Sequence, residues 1–333
     1  PGQMLSPIHG QAWEYRHRAR LAVRLVRKKG GVLVGFHERR SSFVADMSSC
    51  EVLPPPVSSA ISGLRELVGQ LSICERLPQI ELAVGHRVCV LVLRVLHPPS
   101  VEDEALLKAF AERAAFQIWL QPQGPESARP FWPLTAPALD YVLPEFNVSI
   151  AFAPTDFTQV NHTVNRILVR RALSMLDPQP GERVLDLFCG LGNFTLPIGR
   201  SGIDVLGLEA NAGLVSRARQ NAVRNGLSGN CRFGVANLFD PGAVERAIDA
   251  AGPVDRVLID PPREGAIEAV KRLHGEGGPR RIVYVSCDPA TLARDASVLV
   301  KMQGYSLAAA GVLNMFPHTS HVESIAVFDA AAR

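Results

Sequence analysis

The spacing of hydrophobic positions changes near residue 155, and this change divides the chain into two halves. In the first half, alternating polar and apolar residues predict strands, and stretches with helical spacing predict helices. Residues 121–145 are rich in proline and lack a period, which predicts loops. This half is therefore expected to be an α+β module. Its predicted strands are Arg18–Val26, Val32–Phe36, Gln79–Val84 and Arg87–Leu96, and its predicted helices are residues 57–73 and Val101–Ala115.

In the second half, short apolar strands alternate with amphipathic helices, which predicts a mostly parallel sheet. Thr155 or Asp156 is expected to cap the first helix. The predicted strands are Val184–Phe188, Val205–Glu209, Arg256–Ile259, Ile282–Ser286 and Ser324–Phe328, and the helices are those from Phe194, Ala212–Asn225, Ala266–Leu273 and Pro289–Met302. The predicted fold class is α/β, with a doubly wound, Rossmann-like domain over residues 151–333 and the α+β domain over residues 1–150.

Composition supports a two-domain globular protein of a reducing compartment. The chain has 333 residues, of which 47% are hydrophobic and 20% are charged. The longest apolar run ends at Leu96 and is interrupted by Arg94, so it is too short to span a bilayer. The six cysteines form no CxxC pair and no regular framework. These features predict a cytoplasmic protein that does not associate with membranes.

Basic residues are concentrated at the start of the chain, although the net charge is only +3. Residues 1–40 contain nine Lys and Arg against two Glu. This imbalance favours a polyanionic partner such as a nucleic acid. The alternative is that these cations form the solvated face of a strand.

A glycine turn follows the first strand of the second half, at Gly190-Leu191-Gly192-Asn193. Such a turn lets the backbone approach a ligand closely. Asp186 lies in the strand before the turn, and Glu209 ends the next strand, where an acid can accept hydrogen bonds from ribose hydroxyls. The third glycine of the dinucleotide fingerprint is absent, which favours S-adenosylmethionine over a dinucleotide. A tight turn without a ligand is the alternative.

A cysteine, Cys287, stands where a later strand ends, immediately before Asp288-Pro289. Ligands bind outside the carboxyl ends of strands in such sheets. The helix that begins at Pro289 is expected to lower the pKa of this thiol and make it nucleophilic. The alternative is an inert buried cysteine.

Acidic groups are predicted at the same side of the sheet. Asp260-Pro261-Pro262-Arg263 ends another strand, and its carboxylate and guanidinium can hold the edge of a flat heterocycle or form a surface ion pair. Glu323 precedes the last strand, a position that usually indicates a cap or a surface charge. His318 and His321 lie nearby without a third ligand at metal-binding spacing, so they are interpreted as structural or RNA-facing.

Five stretches together resemble the RNA (uracil-5-)-methyltransferase family, and most closely its bacterial 23S ribosomal RNA branch. They are Phe157–Asn161, Leu185–Leu196, Asp260–Arg263, Val285–Asp295 and Met315–Glu323. The resemblance extends almost continuously over residues 150–333 and is looser over the first half, which is similar to the family's central RNA-binding domain. It implies methylation of uridine C5 from S-adenosylmethionine through a cysteine adduct at C6. Methylation of tRNA uracil C5 and of RNA cytosine C5 are the alternatives, and a catalytically silent RNA-binding protein is the alternative from another class.

The resemblance also implies roles for individual residues. Cys287 is the expected nucleophile, Glu323 the expected base, and Arg263 the candidate that steadies a pyrimidine oxygen or a phosphate. The positions that match cofactor contacts of the family are Gln159, Phe188, Asn193, Glu209, Asn237 and Asp260.

Cys50 resembles the fourth ligand of the four-iron cluster found in that branch. The other three ligands normally lie upstream in a C-x5-C-G-G-C run, which this chain lacks. Because a cubane normally needs four cysteines, Cys50 is predicted either to belong to a cluster completed elsewhere or to be an ordinary core thiol. The expected partner is RNA, 23S rRNA in particular. No obligate protein partner is inferred, and a monomer is expected.

Overall fold

The computed structural model describes residues 2–330, which form sixteen strands and eight α-helices. The strands are β1 (Gln3–Met4), β2 (Arg18–Val26), β3 (Gly31–Gly35), β4 (Gln79–Val84), β5 (Cys89–Arg94), β6 (Phe116–Gln121), β7 (Arg129–Trp132), β8 (Asp140–Leu143), β9 (Val148–Ala151), β10 (Arg183–Leu187), β11 (Asp204–Glu209), β12 (Cys231–Val235), β13 (Arg256–Ile259), β14 (Arg281–Ser286), β15 (Tyr305–Leu313) and β16 (Glu323–Ala330). The helices are α1 (Pro55–Gln70), α2 (Val101–Ala114), α3 (His162–Leu176), α4 (Thr195–Arg200), α5 (Ala212–Arg224), α6 (Pro241–Ala251), α7 (Ile267–Val270) and α8 (Pro289–Lys301).

The chain divides into two compact units. The first contains the residues up to Gly10, the segment Val142–Ile150 and the chain from Thr163 onward. The second contains Gln11–Tyr141 and Ala151–His162. The chain passes from one unit to the other at four points, and the boundary expected at residue 150 falls at one of them.

The first unit is built on an eight-stranded sheet in the order β1-β15-β16-β14-β13-β10-β11-β12. Strands β10 to β14 are mutually parallel, whereas β16 runs antiparallel to both β14 and β15. This sheet confirms the doubly wound α/β class. The strand order reverses direction between β10 and β13, and in such sheets the ligand crevice lies outside the carboxyl ends at that reversal.

The elements of this unit that the sequence analysis did not predict include the strands β12 and β15 and the helix α6. The strand β15 reads Tyr-Ser-Leu-Ala-Ala-Ala-Gly-Val-Leu, in which alanine and glycine carry little strand propensity. The strand β12 contains a glycine and an exposed arginine, and the helix α6 follows it directly. Both strands form because their neighbours in the sheet supply the backbone hydrogen bonds.

The second unit contains a six-stranded sheet in the order β3-β2-β4-β5-β6-β7, in which only the pair β5 and β6 is parallel. Helices α1 and α2 contribute to its buried apolar core, for example through Ile61 and Phe110. The prediction of loops over residues 121–145 was wrong, because this segment contains the strands β7 and β8. Its prolines occur at the margin of the sheet, where a missing amide is tolerated.

The helix expected to be capped by Thr155 or Asp156 begins later, at His162. The Asp156 carboxylate accepts a hydrogen bond from the Ala153 amide at 2.7 Å, and the Asp156 amide donates to the Ala153 carbonyl at 2.8 Å. Asp156 therefore closes a turn with the residues before it instead of capping residues after it.

Ion pairs of the buried Glu182 connect the amino ends of the neighbouring strands β10, β13 and β14 in the first unit. Glu182, just before β10, accepts a hydrogen bond from Arg256 Nε at 2.5 Å and also pairs with Arg280. Burial alone would raise the pKa of Glu182. Hydrogen bonds from Arg256 and the Gln179 amide, with the charges of Arg256 and Arg280, outweigh burial and lower this pKa.

Replacing Glu182 by Gln is expected to lower the free energy of unfolding by about 3 kcal/mol at neutral pH, because Arg256 then lies buried without its counter-charge. Since the pKa of Glu182 is lowered from 4.5, its contribution is present above that pH and is lost as the pH falls through the folded-state value. Urea unfolding at neutral and at acidic pH measures both effects. If the difference in the free energy of unfolding between wild type and Glu182→Gln were as large at acidic pH as at neutral pH, this account would be contradicted.

Candidate active site

The glycine turn begins as soon as β10 ends. Phe188, Gly190 and Gly192 have φ values of 65°, 52° and 93°, in the region that favours glycine. The Gly192 amide donates to the Cys189 carbonyl at 2.9 Å, which closes the turn before α4. No heavy atom lies within 4 Å of the Cβ position that a side chain at Gly190 would occupy. The turn is therefore compact and open at Gly190, as close approach of a ligand requires.

Glu209, at the end of β11, faces this turn. Its Oε2 accepts a hydrogen bond from the Gly190 amide at 3.3 Å, and its Oε1 accepts one from the Asn211 amide at 2.9 Å. The parallel register of β10 and β11 produces this neighbourhood, because Leu187 lies opposite Leu208. Glu209, the acid identified from the sequence, thus lies next to the glycine turn, as expected.

Two further predicted positions, Phe188 and Asn237, both contact Phe239 near the glycine turn. The Phe188 and Phe239 rings lie 5.5 Å apart between centroids. Asn237, exposed after β12, accepts a hydrogen bond from the Phe239 amide at 3.1 Å through its Oδ1. Asn237 therefore helps to fix the loop that carries Phe239.

The side chain of Asn193 is paired reciprocally with that of Asn165. Each amide nitrogen donates to the other side chain's oxygen, at 2.9 Å from Asn165 and 3.0 Å from Asn193. Asn165 is buried on α3 and was not found from the sequence, where a lone polar residue in an amphipathic helix gives no signal. Gln159 lies in the second unit, between β9 and α3, and so does not belong to the group described for the first unit.

Asp186 is a buried acid next to the glycine turn. It accepts a hydrogen bond from Thr195 Oγ1 at 2.5 Å, which joins β10 to α4. Burial, with smaller contributions from the charges of Asp260 and Glu209, raises the pKa of Asp186 to about 7. Its Oδ1 is buried without a hydrogen-bond partner among the described residues, so this atom has an unmet need for a donor.

A second group of predicted residues meets at the carboxyl ends of β13 and β14. In the antiparallel pair of β14 and β16, Ser286 lies opposite Ser324. Cys287 directly follows Ser286, Glu323 directly precedes Ser324, and the charge of Glu323 acts on the Cys287 thiol, so the two side chains are neighbours. Asp260 follows β13, the parallel neighbour of β14. Arg263 completes the group, because its charge acts on both Cys287 and Glu323.

The electrostatics of this group favour neutral forms. Burial raises the pKa of Cys287 to about 11; the charges of Glu323 and Asp260 add to this rise, and that of Arg263 opposes it. Burial also raises the pKa of Glu323 to about 8 and that of Asp260 to about 7. Near neutral pH the thiol therefore keeps its proton, and Glu323 is mostly protonated.

The expectation that helix α8 lowers the pKa of Cys287 was wrong. The carboxylate of Asp288 caps that helix and accepts hydrogen bonds from the amides of Ala290 at 2.8 Å and Thr291 at 3.2 Å. The first amides of α8 are thus bonded to an acid and do not stabilise a thiolate at Cys287.

Arg263 is held by His321, which the sequence suggested was structural or RNA-facing. Arg263 Nη2 donates to His321 Nδ1 at 3.0 Å. The Phe316 ring lies 5.3 Å from the His321 ring and supports it. His321 therefore contributes to the site through the guanidinium.

Comparisons with known proteins agree with this geometry. A family model described as a methyltransferase domain matches residues 178–302. Two proteins named 23S rRNA (uracil(1939)-C(5))-methyltransferase RlmD are similar to this chain. That of Thiobacillus denitrificans is 62% identical over 99% of this chain and 76% of its own length. That of Nitrosospira multiformis is 61% identical over 100% of this chain and 76% of its own length.

The chain belongs to the 23S rRNA (uracil-C5)-methyltransferase family. This confirms the resemblance found in its motifs and makes it a member of a family of RNA-modifying enzymes. A solved structure of Pyrococcus abyssi tRNA (uracil-54, C5)-methyltransferase, in complex with S-adenosyl-L-homocysteine, is also similar. It is 26% identical, with a TM-score of 0.76 over 96% of this chain and 78% of that chain.

The residues that the structure describes do not assemble an iron-sulfur site. Within residues 2–330, no three His, Cys, Asp or Glu side chains come together as metal ligands. Cys50 is partly buried against the core of the second unit, and its amide donates to Ser58 Oγ at 2.9 Å. One thiol cannot hold a cubane, so no step of the proposed chemistry depends on a cluster.

Among residues 2–330, no helix is long and apolar enough to cross a membrane.

Replacing Glu323 by Gln is expected to speed the alkylation of Cys287 by iodoacetamide by up to about tenfold above pH 8, because the ionised carboxylate that raises the thiol pKa is gone. Peptide-resolved mass spectrometry separates Cys287 from the other five cysteines.

The remote Glu182→Gln variant is the control and should react like wild type. The advantage of Glu323→Gln should shrink as the pH falls below 8, where wild-type Glu323 becomes neutral by itself. Equal rates for wild type and Glu323→Gln at every pH would show that the two groups do not interact.

Proposed function

We propose that this chain transfers a methyl group from S-adenosylmethionine to C5 of a uridine in 23S rRNA, through a transient bond between Cys287 Sγ and C6 of the base. The observation that carries this proposal is the register of β14 and β16. It supports the proposal because Cys287 follows Ser286 and the buried Glu323 precedes Ser324, the partner of Ser286, on the sheet that also carries the glycine turn.

The glycine turn and its neighbours are proposed to hold the cofactor. Glu209 would accept hydrogen bonds from the ribose hydroxyls, and the rings of Phe188 and Phe239 offer apolar surface to an adenine. Asn193, Asn237 and Asp260 are the further proposed contacts, and the role of Gln159 stays a prediction. When bound, the cofactor supplies an electrophilic methyl group.

Cys287 is proposed to begin the reaction. Carbon 5 of uracil is a poor nucleophile, and addition of the Cys287 thiolate to C6 turns the ring into an enolate whose C5 can accept the methyl group. Negative charge then develops on O4, and Arg263 is the cation proposed to stabilise it. Because the pKa of the free thiol is about 11, its proton must pass to a water molecule as the uracil binds.

Glu323 is proposed to finish the reaction. Because Glu323 is mostly protonated near neutral pH, it must first lose its own proton to water. Its carboxylate then removes the proton from the methylated C5, and the electron pair of that C–H bond re-forms the C5–C6 double bond while the C6–Sγ bond breaks. The proton stays on the Glu323 carboxyl group until it exchanges with water, and sulfur leaves as a thiolate. A base works best when its pKa is near the working pH, and the pKa of about 8 meets this condition.

The second unit is proposed to bind the RNA backbone. The cations Arg24, Lys28, Lys29, Arg39 and Arg40 are exposed there. Two other predicted cations already have partners. Arg20 is exposed but pairs with Glu81 at 3.0 Å, whereas Arg18 is largely buried and its Nη2 donates to the Pro154 carbonyl at 2.8 Å. The target base must leave its stack to reach Cys287, which is easiest in looped RNA. A cytoplasmic location and a monomeric state stay predictions.

Replacing Cys287 by Ala is expected to abolish methyl transfer while RNA binding is retained, because only the nucleophile is lost. Wild type is expected to form a denaturant-resistant adduct with a 23S rRNA fragment that contains 5-fluorouridine, in the presence of S-adenosylmethionine. A denaturing gel detects the adduct, and a filter-binding assay measures RNA affinity.

Cys74→Ala, which removes another partly buried free thiol, is the matched control and should form the adduct normally. Methyl transfer is also measured on uridine-rich and on cytidine-rich fragments, and the preferred fragment separates uracil methylation from cytosine methylation. Absence of any adduct with wild type and cofactor would overturn the proposed mechanism.

Replacing Glu209 by Gln is expected to weaken S-adenosylhomocysteine binding by about 10- to 100-fold, since hydrogen bonds to a charged acceptor contribute about 1.5–3 kcal/mol. Isothermal titration calorimetry measures this affinity. Glu264→Gln, an exposed acid elsewhere in the same unit, serves as the control. Unchanged affinity in Glu209→Gln would remove Glu209 from the proposed cofactor site.

A further inference from the structure

We propose that Asp295 is a positioning residue, which fixes the segment Asp260–Ala266 against β14 and thereby sets Arg263 relative to Cys287. The inference rests on the proposed function, because it assigns Arg263 and Cys287 to one reaction. It concerns a residue on α8 that belongs to neither group of the site described above.

Asp295 is a completely buried carboxylate that accepts hydrogen bonds from three different parts of the unit. Its Oδ2 accepts from the Ala266 amide at 2.7 Å and from the Tyr284 hydroxyl at 2.7 Å. Its Oδ1 accepts from Arg294 Nε at 2.8 Å. A buried charge with this many donors is stabilised where it lies and resists displacement.

These contacts connect α8 with two of the elements that carry the second group of the site, the segment Asp260–Ala266 and β14. Ala266 ends the segment that begins with Asp260 and contains Arg263. Tyr284 lies on β14, three residues before Cys287. Asp295 itself lies on α8, which begins immediately after Cys287 and Asp288. One carboxylate thus links the segment that holds the cation to the strand that ends at the thiol.

The backbone of the segment Asp260–Ala266 has little conformational freedom near Asp295. Gly265 has a φ of 77°, and its amide donates to the Pro262 carbonyl at 2.9 Å. A Cβ at Gly265 would lie 2.6 Å from Arg294 Nη2 and 2.8 Å from Asp295 Oδ2. Arg294 Nη2 also donates to the Glu264 carbonyl at 2.8 Å. The turn that follows Arg263 is therefore packed directly on the pair of Arg294 and Asp295.

A carboxylate is required here because all the partners are donors. Asparagine offers one acceptor oxygen, and its amide group would face an N–H or O–H donor. Asp295→Asn would therefore release the turn and, with it, the orientation of Arg263. Arg263 is the cation whose charge opposes the high pKa values of both Cys287 and Glu323, so its displacement changes their reactivity.

The test compares Asp295→Asn and Arg294→Ala with wild type and with Glu182→Gln. Glu182 is the matched control, since it is also a buried carboxylate paired with arginine, but it lies at the amino ends of the strands. Adduct formation with 5-fluorouridine RNA is measured in a single turnover, at a temperature where circular dichroism shows each variant to be folded. Alkylation of Cys287 is measured against pH without RNA or cofactor.

For Asp295→Asn, adduct formation is expected to slow by about 10- to 100-fold, the scale on which misplaced groups impair catalysis. Cys287 should also be alkylated more slowly at a given pH, because Arg263 no longer lowers the thiol pKa as strongly. Arg294→Ala, whose side chain is 44% exposed, should show the same changes to a smaller extent. Glu182→Gln should lose stability with neither change.

Adduct and alkylation rates equal to wild type in both variants would overturn the inference and leave Asp295 a purely structural role like that of Glu182. If Asp295→Asn does not fold, Arg294→Ala decides by the same criteria. If wild type forms no adduct, the proposed function fails instead. The alkylation profiles then still test whether Asp295 controls the surroundings of Cys287.

Discussion

The chemistry of this protein depends on one electrostatic constraint. The carboxyl ends of β13 and β14 and the amino end of the antiparallel β16 bring together Asp260, Cys287 and Glu323, and burial makes their simultaneous ionisation unfavourable. Each negative charge raises the cost of the next, and Arg263 is the cation that offsets them. The site is therefore suited to moving protons among acidic groups during a reaction and poorly suited to holding a preformed thiolate.

The sheet explains why this constraint exists where it does. At the amino ends of its strands, Glu182 meets two arginines and its charge is neutralised. At the carboxyl ends, acidic side chains gather with less compensation, and the strand order reverses there to open a crevice. The amino ends of the strands thus contribute stability. At the carboxyl ends, burial makes the ionised forms of the acidic groups unfavourable. Such unfavourable electrostatics are what functional sites commonly show.

The strands that define the site were well predicted, because each has a local signature. In Arg256–Ile259 three consecutive apolar residues follow an arginine, and the observed limits of this strand match the prediction. The helix α8 ends only one residue earlier than expected. The alanine-rich β15 was missed, because its conformation is imposed by β16 and β1 rather than by its own residues. The start of α3 was misplaced, because Asp156 bonds backward to Ala153 and the sequence does not show the direction of that bond.

By itself, the sequence determined the parallel sheet, the glycine turn and the residues that end the strands, since these follow from local periodicity and from motifs of adjacent residues. It also determined membership of the methyltransferase family, because the motifs are specific. Only the tertiary structure decided that Cys287 keeps its proton, that Asn165 engages Asn193 and that Asp295 holds the turn after Arg263. These properties depend on burial and on contacts between residues far apart in the chain, which no local pattern encodes.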